Sequence, residues 1–168
     1  MGVALNRIDD RLIHGQVVVG WGQPLDVRFI VLVDDNVAAS DWEQDLYRMG
    51  VPPEMELRFA DVETASAKYT DYASDPRPGI LLTGDIDTMY RLIKGGAAIR
   101  EVNVGGLHYR AGRAGRLRYV FLTPEEETGL RQLAGLGVKV SAQDVPTARP
   151  VPIDELLGDR NHPAEPSR

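Results

Sequence analysis

The chain predicts an α/β fold: a single three-layer domain with a mostly parallel sheet of about seven strands flanked by helices. Two observations carry this. Short apolar runs, several rich in β-branched residues and bounded by Gly, Pro or Asp, recur along the sequence as buried strands do. Between them lie segments with helical spacing and recognisable start signals. At 168 residues the chain can bury a sizeable core. Its 43% apolar and 26% charged residues are a globular composition.

The predicted strands are Val3–Leu5, Val27–Val33, Met55–Phe59, Gly79–Leu82, Val102–Val104, Tyr119–Leu122 and Val138–Val140. The segment Gln16–Trp21 after the first strand is awkward, because three valines and a glycine are poor helix formers. The alternation rule makes it a helix, since the next strand must run parallel to the first. Asn36 is read as the cap of a helix with Trp42, Leu46 and Met49 on one face, stopped by Gly50 and Pro52-Pro53. Asp61 opens a helix whose inward face carries Val62, Ala65, Tyr69 and Tyr72. Asp85 caps the next, with Ile86, Met89, Tyr90 and Ile93 inward and Gly95 as its stop. Thr123-Pro124-Glu125-Glu126 is the clearest start: a capping threonine, a proline at the first helical position and a glutamate three residues after the cap. Leu130 and Leu133 supply that helix's apolar face. Residues 1–157 are read as the domain and 158–168 as a disordered tail, polar with two prolines.

The formal charge of −6 argues against nonspecific nucleic-acid binding. With no cysteine, thiol catalysis, thiolate metal sites and disulfides are excluded, and a reducing cytosol is the expectation. No run approaches the roughly 18 apolar residues of a membrane span, and no signal pattern opens the chain. A role at a membrane would be played from outside the bilayer.

Ligands of parallel sheets bind where the strands end. The loop after the first strand reads Asp9-Asp10-Arg11-Leu12-Ile13-His14-Gly15-Gln16. A neutral imidazole is a competent nucleophile near pH 7. Arg11 offers a planar fork that suits phosphate oxygens. Gly15 opens the backbone at a helix start, where free N–H groups favour anions. Asp9 or Asp10 could orient the His14 ring or hold Arg11. Together these suit a phosphoryl acceptor, although a lone loop histidine is more often an ordinary solvated side chain. A second loop, Asn103-Val104-Gly105-Gly106-Leu107-His108, is followed by Arg110, Arg113 and Arg116, read as an anion-facing or docking segment or as a soluble crossover. His14, His108 and His162 lack metal-ligand spacing, so no metal is expected.

Ile8 to Val17 resembles the phosphorylation-site motif of IIB components in the mannose/fructose/sorbose family of the bacterial sugar phosphotransferase system (PTS). Val33-Asp34-Asp35, Gly95-Gly96, Val102 to His108, Gly137-Val138 and Gln143 to Pro146 continue the resemblance, which spans roughly residues 3–157. It implies a largely parallel sheet with helices on both faces and resolves the segment after Gly15 as helix. It implies a protein-N(pi)-phosphohistidine–sugar phosphotransferase component in the cytoplasm, associated peripherally with a membrane permease and needing no cofactor. His14 would be phosphorylated by a IIA domain and would pass the group to a sugar entering through membrane IIC and IID subunits. Arg11 would stabilise the phosphoryl group. Asp10, Asp9, Gly15 and Gln16 would shape the loop, with Asn103, Gly105, Gly106 and His108 nearby. Because donor and acceptor must both reach it, His14 is expected to be solvent-accessible in a shallow site. A homodimer is possible. Two alternatives stand: a regulatory relative outside transport, and a histidine phosphatase. The latter family places arginine directly before its His-Gly pair, where this chain has Ile13.

Overall fold

The computed structural model describes residues 2–158. The tail expectation for 158–168 therefore falls, beyond Gly158, outside the described residues. Seven strands form one sheet in the order β3-β2-β4-β1-β5-β8-β9. These are β1 (Gly2–Ile8), β2 (Phe29–Val33), β3 (Glu56–Ala60), β4 (Pro78–Thr83), β5 (Glu101–Val104), β8 (Lys139–Ala142) and β9 (Val151–Pro152). All pairs are parallel except β8 with β9. Both sheet faces are covered. Phe29, Val31, Val33 and Leu81 pack into one core with α3 (Val62–Ser74), α4 (Ile86–Lys94), α5 (Pro124–Gly135) and α6 (Ile153–Leu157). Ile30, Leu32, Ile80 and Leu82 pack into the other, under the segment Gln16–Trp21 and α1 (Asp35–Ala38). Alternate residues of β2 thus bury opposite faces, which is why the strand reads as an unbroken apolar run.

Three helices form as their sequences dictate. The Asp61 side chain accepts from the Thr64 N–H, and Val62, Ala65, Tyr69 and Tyr72 are buried. The Asp85 side chain accepts from Thr88, and Gly95 ends the helix. Leu92 is buried there, whereas Tyr90 and Ile93 are only partly covered at the core's margin. Thr123 and Glu126 form the reciprocal capping box, with Pro124 as the first helical residue.

Three expectations need correction and one is refined. Tyr119–Leu122 does not join the main sheet: β7 (Val120–Leu122) pairs antiparallel with β6 (Ala114–Leu117) as a separate hairpin. The short β9 takes the seventh place instead. The segment Gln16–Trp21 is helical but a π-helix, so valines sit in a wider turn beside the candidate site. The helix expected after Asn36 is two pieces. Asp34, not Asn36, is the cap, accepting from the N–H groups of Asn36 and Val37. The chain breaks at Ala39-Ser40 before α2 (Asp41–Arg48) begins. Finally, α2 buries no residue, and Trp42, Leu46 and Met49 point outward.

Candidate active site

The loop after β1 lies at the carboxyl end of the central strand. It is held on one side by β4, through the Asp9 N–H to the Thr83 carbonyl at 2.9 Å. On the other it meets the β5 loop, through the Asp10 N–H to the Gly106 carbonyl at 2.8 Å. The chain reverses at Leu12, whose φ of +60° places it in the left-handed region, an uncommon choice for a side chain of this size.

The centre of the loop is Asp9, which is fully buried. Its carboxylate accepts from Arg7 Nη2, Arg11 Nε, Arg11 Nη2 and the Gly106 N–H, each at 3.2 Å, and from the Arg11 N–H at 3.2 Å. Burial pushes its pKa up, but the hydrogen bonds from Arg11 and the charges of Arg7, His14 and Arg11 outweigh this and hold it below the usual carboxylate range. Asp9 Oδ2 stands 3.8 Å from His14 Nε2.

Behind Asp9 lies a residue that sequence reasoning missed. Arg7 is wholly inaccessible to solvent. Its Nη1 donates to Asn103 Oδ1 at 2.5 Å and to the Gln143 carbonyl at 2.8 Å, and its Nη2 donates to the Asp144 carbonyl at 3.2 Å. The guanidinium also stacks on Trp21, 4.9 Å from the ring centroid. Burial lowers its pKa, and the neighbouring Asp9 charge opposes that drop. Gly105 is glycine because a Cβ there would lie 2.3 Å from Arg7 Nη2.

The β8 loop closes the ring of contacts. Gln16 Nε2 donates to Asp144 Oδ1 at 2.8 Å, and Trp21 Nε1 donates to the Asp144 carbonyl at 3.1 Å. Arg11 Nη2 also donates to Gln16 Oε1. This leaves Arg11 Nη1 without a partner among the described residues. The one sequence signal for this third loop was the run Gln143 to Pro146.

His14 departs from the shallow, open placement expected of it. The ring is 18% exposed. Its Nδ1 lies 2.7 Å from the Leu12 carbonyl, to which an Nδ1–H donates, and its Nε2 is buried with no hydrogen-bond partner among the described residues. The cause is the tight reversal at Leu12, which folds the carbonyl back over the imidazole. Gly15 departs too: it has ordinary helical dihedrals and nothing within 4 Å of a Cβ position, so no close backbone approach there requires a glycine.

Asp10 does not reach His14. It accepts from the His108 N–H at 2.8 Å and from His108 Nδ1 at 2.5 Å, with Arg113 Nη1 at 3.5 Å. Arg113 is itself buried against Glu126 and Arg116 is paired with Glu127, so neither adds free charge to the loop. Arg110 remains exposed. The structure thus brings together Asp9, Arg11, His14 and Gln16, frames them with Asn103, Gly105 and Gly106, and sets Asp10 and His108 aside as a second pair.

The model of the family described as "PTS system sorbose subfamily IIB component" matches residues 3–167. The sorbose-specific EIIB component of Lacticaseibacillus casei is 30% identical over 162 residues, covering 94% of this chain and 99% of that protein. The mannose-specific EIIAB component of Escherichia coli K12 is 32% identical over 159 residues; the match covers 94% of this chain but 49% of that longer protein. Among solved structures, the IIBSor domain of the sorbose permease from Klebsiella pneumoniae superposes with a TM-score of 0.83 at 29% identity, covering 94% of this chain and 96% of that one. The histidine-phosphatase alternative falls with these matches. A histidine beside a charge-compensated carboxylate and an arginine, at the end of the central strand of this sheet, agrees with what they say: the chain belongs to the sorbose-subfamily IIB components of the PTS, a family of phosphotransferases.

Proposed function

We propose that His14 is the residue that carries the phosphoryl group, taking it from a phosphohistidine on a IIA domain and giving it to a sugar held by membrane IIC and IID subunits. The single observation that supports this most is the company His14 keeps: Arg11 with its Nη1 free, Asp9 within 3.8 Å, and open space over Gly15. The lone pair of the neutral imidazole attacks phosphorus in line. The new P–N bond forms as the donor's P–N bond breaks, and the donor imidazole leaves neutral, so no net proton moves. Onward transfer forms a P–O bond to a sugar hydroxyl as the His14 P–N bond breaks; the hydroxyl proton passes to a base on the acceptor side and the imidazole leaves neutral. Arg11 and the N–H groups at the start of the π-helix meet the charge on the equatorial oxygens, so catalysis is positioning and electrostatics.

The ring turns before it reacts. With Nδ1 on the Leu12 carbonyl and Nε2 buried, neither nitrogen faces a donor. Rotation frees Nδ1, and passage of its proton through solvent to Nε2 leaves a lone pair on Nδ1 and an Nε2–H facing Asp9, which then orients the ring as a carboxylate orients imidazole elsewhere. Work beside the permease places the chain at the cytoplasmic face of the membrane; among the described residues no helix is long and apolar enough to cross it.

The test is phosphorylation by a phosphorylated IIA domain. The expected product is one acid-labile, base-stable phosphate, absent in His14→Ala while the circular dichroism spectrum is retained. Label that survives this substitution would put the phosphate elsewhere.

A further inference from the structure

Helix α2 is built inside out. On its inner side Gln44 Nε2 donates to the carbonyls of Val37 and Ala38, and Arg48 stacks over Phe59 at 5.0 Å. Only Tyr47 reaches the core, and only at its margin. The outer side carries Trp42, Leu46 and Met49, which are 68%, 57% and 83% exposed. Their spacing of four and three residues stacks them into one stripe. Three such side chains expose on the order of 400 Å² of apolar surface, a size at which a patch on a soluble protein marks an interaction site.

We propose that this stripe docks on the cytoplasmic loops of the membrane subunits. The proposal rests on the carrier reading above, which makes those subunits the destination of the phosphoryl group. Charge selects this occupant over others. Asp41 and Asp45 lie along one side of the stripe, with Arg48 paired to Asp45 at 3.2 Å, and Glu43 lies along the other, so the rim keeps a net negative charge. A second copy packed by a twofold axis would set these carboxylates against their own counterparts. An anionic leaflet would repel them. A protein surface with an apolar groove rimmed by Lys and Arg fits both features, and an excess of Lys and Arg is the general property of cytoplasmic loops in membrane proteins. Position agrees. Val33 is level with Thr83 and Thr83 with Ile8 across the sheet, so α1 and the start of α2 leave from the same edge as the His14 loop. A subunit seated on the stripe would stand beside that loop.

The test uses the full chain and its Leu46→Glu, Met49→Glu and Asp41→Lys/Asp45→Lys variants. Each is labelled by a phosphorylated IIA domain. Each is then co-sedimented with inverted membrane vesicles carrying a sorbose-subfamily IIC/IID pair, and with protein-free liposomes of the same lipids. All variants should fold and accept label as the parent chain does, while binding to the subunit-bearing vesicles weakens about ten-fold or more. Undiminished vesicle binding by the variants would overturn the proposal. So would equal binding to the liposomes, loss of labelling in the Glu variants, or a dimer in sedimentation that Leu46→Glu dissociates, since these would assign the stripe to lipid, to the donor domain or to a second copy. If the parent chain takes no label, the carrier reading fails by itself; stripe-dependent binding to the vesicles would still support docking.

Discussion

A guanidinium with no access to water is the strongest commitment any residue makes in this protein. Arg7 and Asp9 neutralise each other inside the sheet, and Arg11 shares the carboxylate from outside. Breaking a buried pair leaves an uncompensated charge, so Asp9→Asn should destabilise the fold by roughly 3–5 kcal/mol, read from urea unfolding. Arg11 is only partly buried, and on the proposed carrier role its loss should act on rate. Arg11→Ala is expected to slow phosphoryl transfer about a hundred-fold in single-turnover labelling, with little change in stability. Arg11→Lys should restore little, because an ammonium cannot reproduce the fork that spans Asp9 and Gln16. His14, Arg11 and Asp9 were legible in the sequence because they are neighbours in one unusual loop. Arg7 was not. In a strand of alternating faces it looks like a surface residue, and its partners Gln143 and Asp144 lie in a loop far along the chain.

At the level of elements, caps and periodicity were enough for α3, α4 and α5, where local hydrogen bonds and burial agree. They located the stripe of α2 but not its direction, because periodicity says where apolar residues gather and not on which side the sheet lies. β9 was illegible for a different reason: two residues, one a proline, pair only because β8 is already in place. Close approach between elements gives a further prediction. A Cβ on Gly105 would intrude on the Arg7 guanidinium, which has no room to retreat. Gly105→Ala should therefore cost about 1–3 kcal/mol and lower the labelling rate together. Gly15→Ala, facing open space, should leave stability within about 0.5 kcal/mol. Thermal melts of the two variants, run side by side, check the contrast.

Taken whole, the molecule stores much of its polar stabilisation in carboxylates. Burial raises Asp9 and Glu126, yet their arginine partners and hydrogen bonds bring both below the ordinary range. Hydrogen bonds from Arg77 and Arg58 do the same for Asp75, and from Arg58 and Arg77 for Glu56. A folded pKa below the unfolded one means that the unfolded chain binds more protons on acidification. The contribution is complete above the unfolded values near pH 4 and is lost as pH falls through the folded ones. Stability measured by urea titration should accordingly be flat in this respect between pH 5 and 7 and fall steeply below about pH 4. Asp9→Asn should flatten part of that fall.

The bond between the Leu12 carbonyl and His14 Nδ1 has one more implication. A phosphoramidate stores energy that any stray reagent could load or discharge if the imidazole stood open. On the proposed role, an imidazole with Nδ1 bonded and Nε2 buried offers no exposed lone pair to attack small phosphate donors. The Leu12 turn would thus limit futile loading of His14.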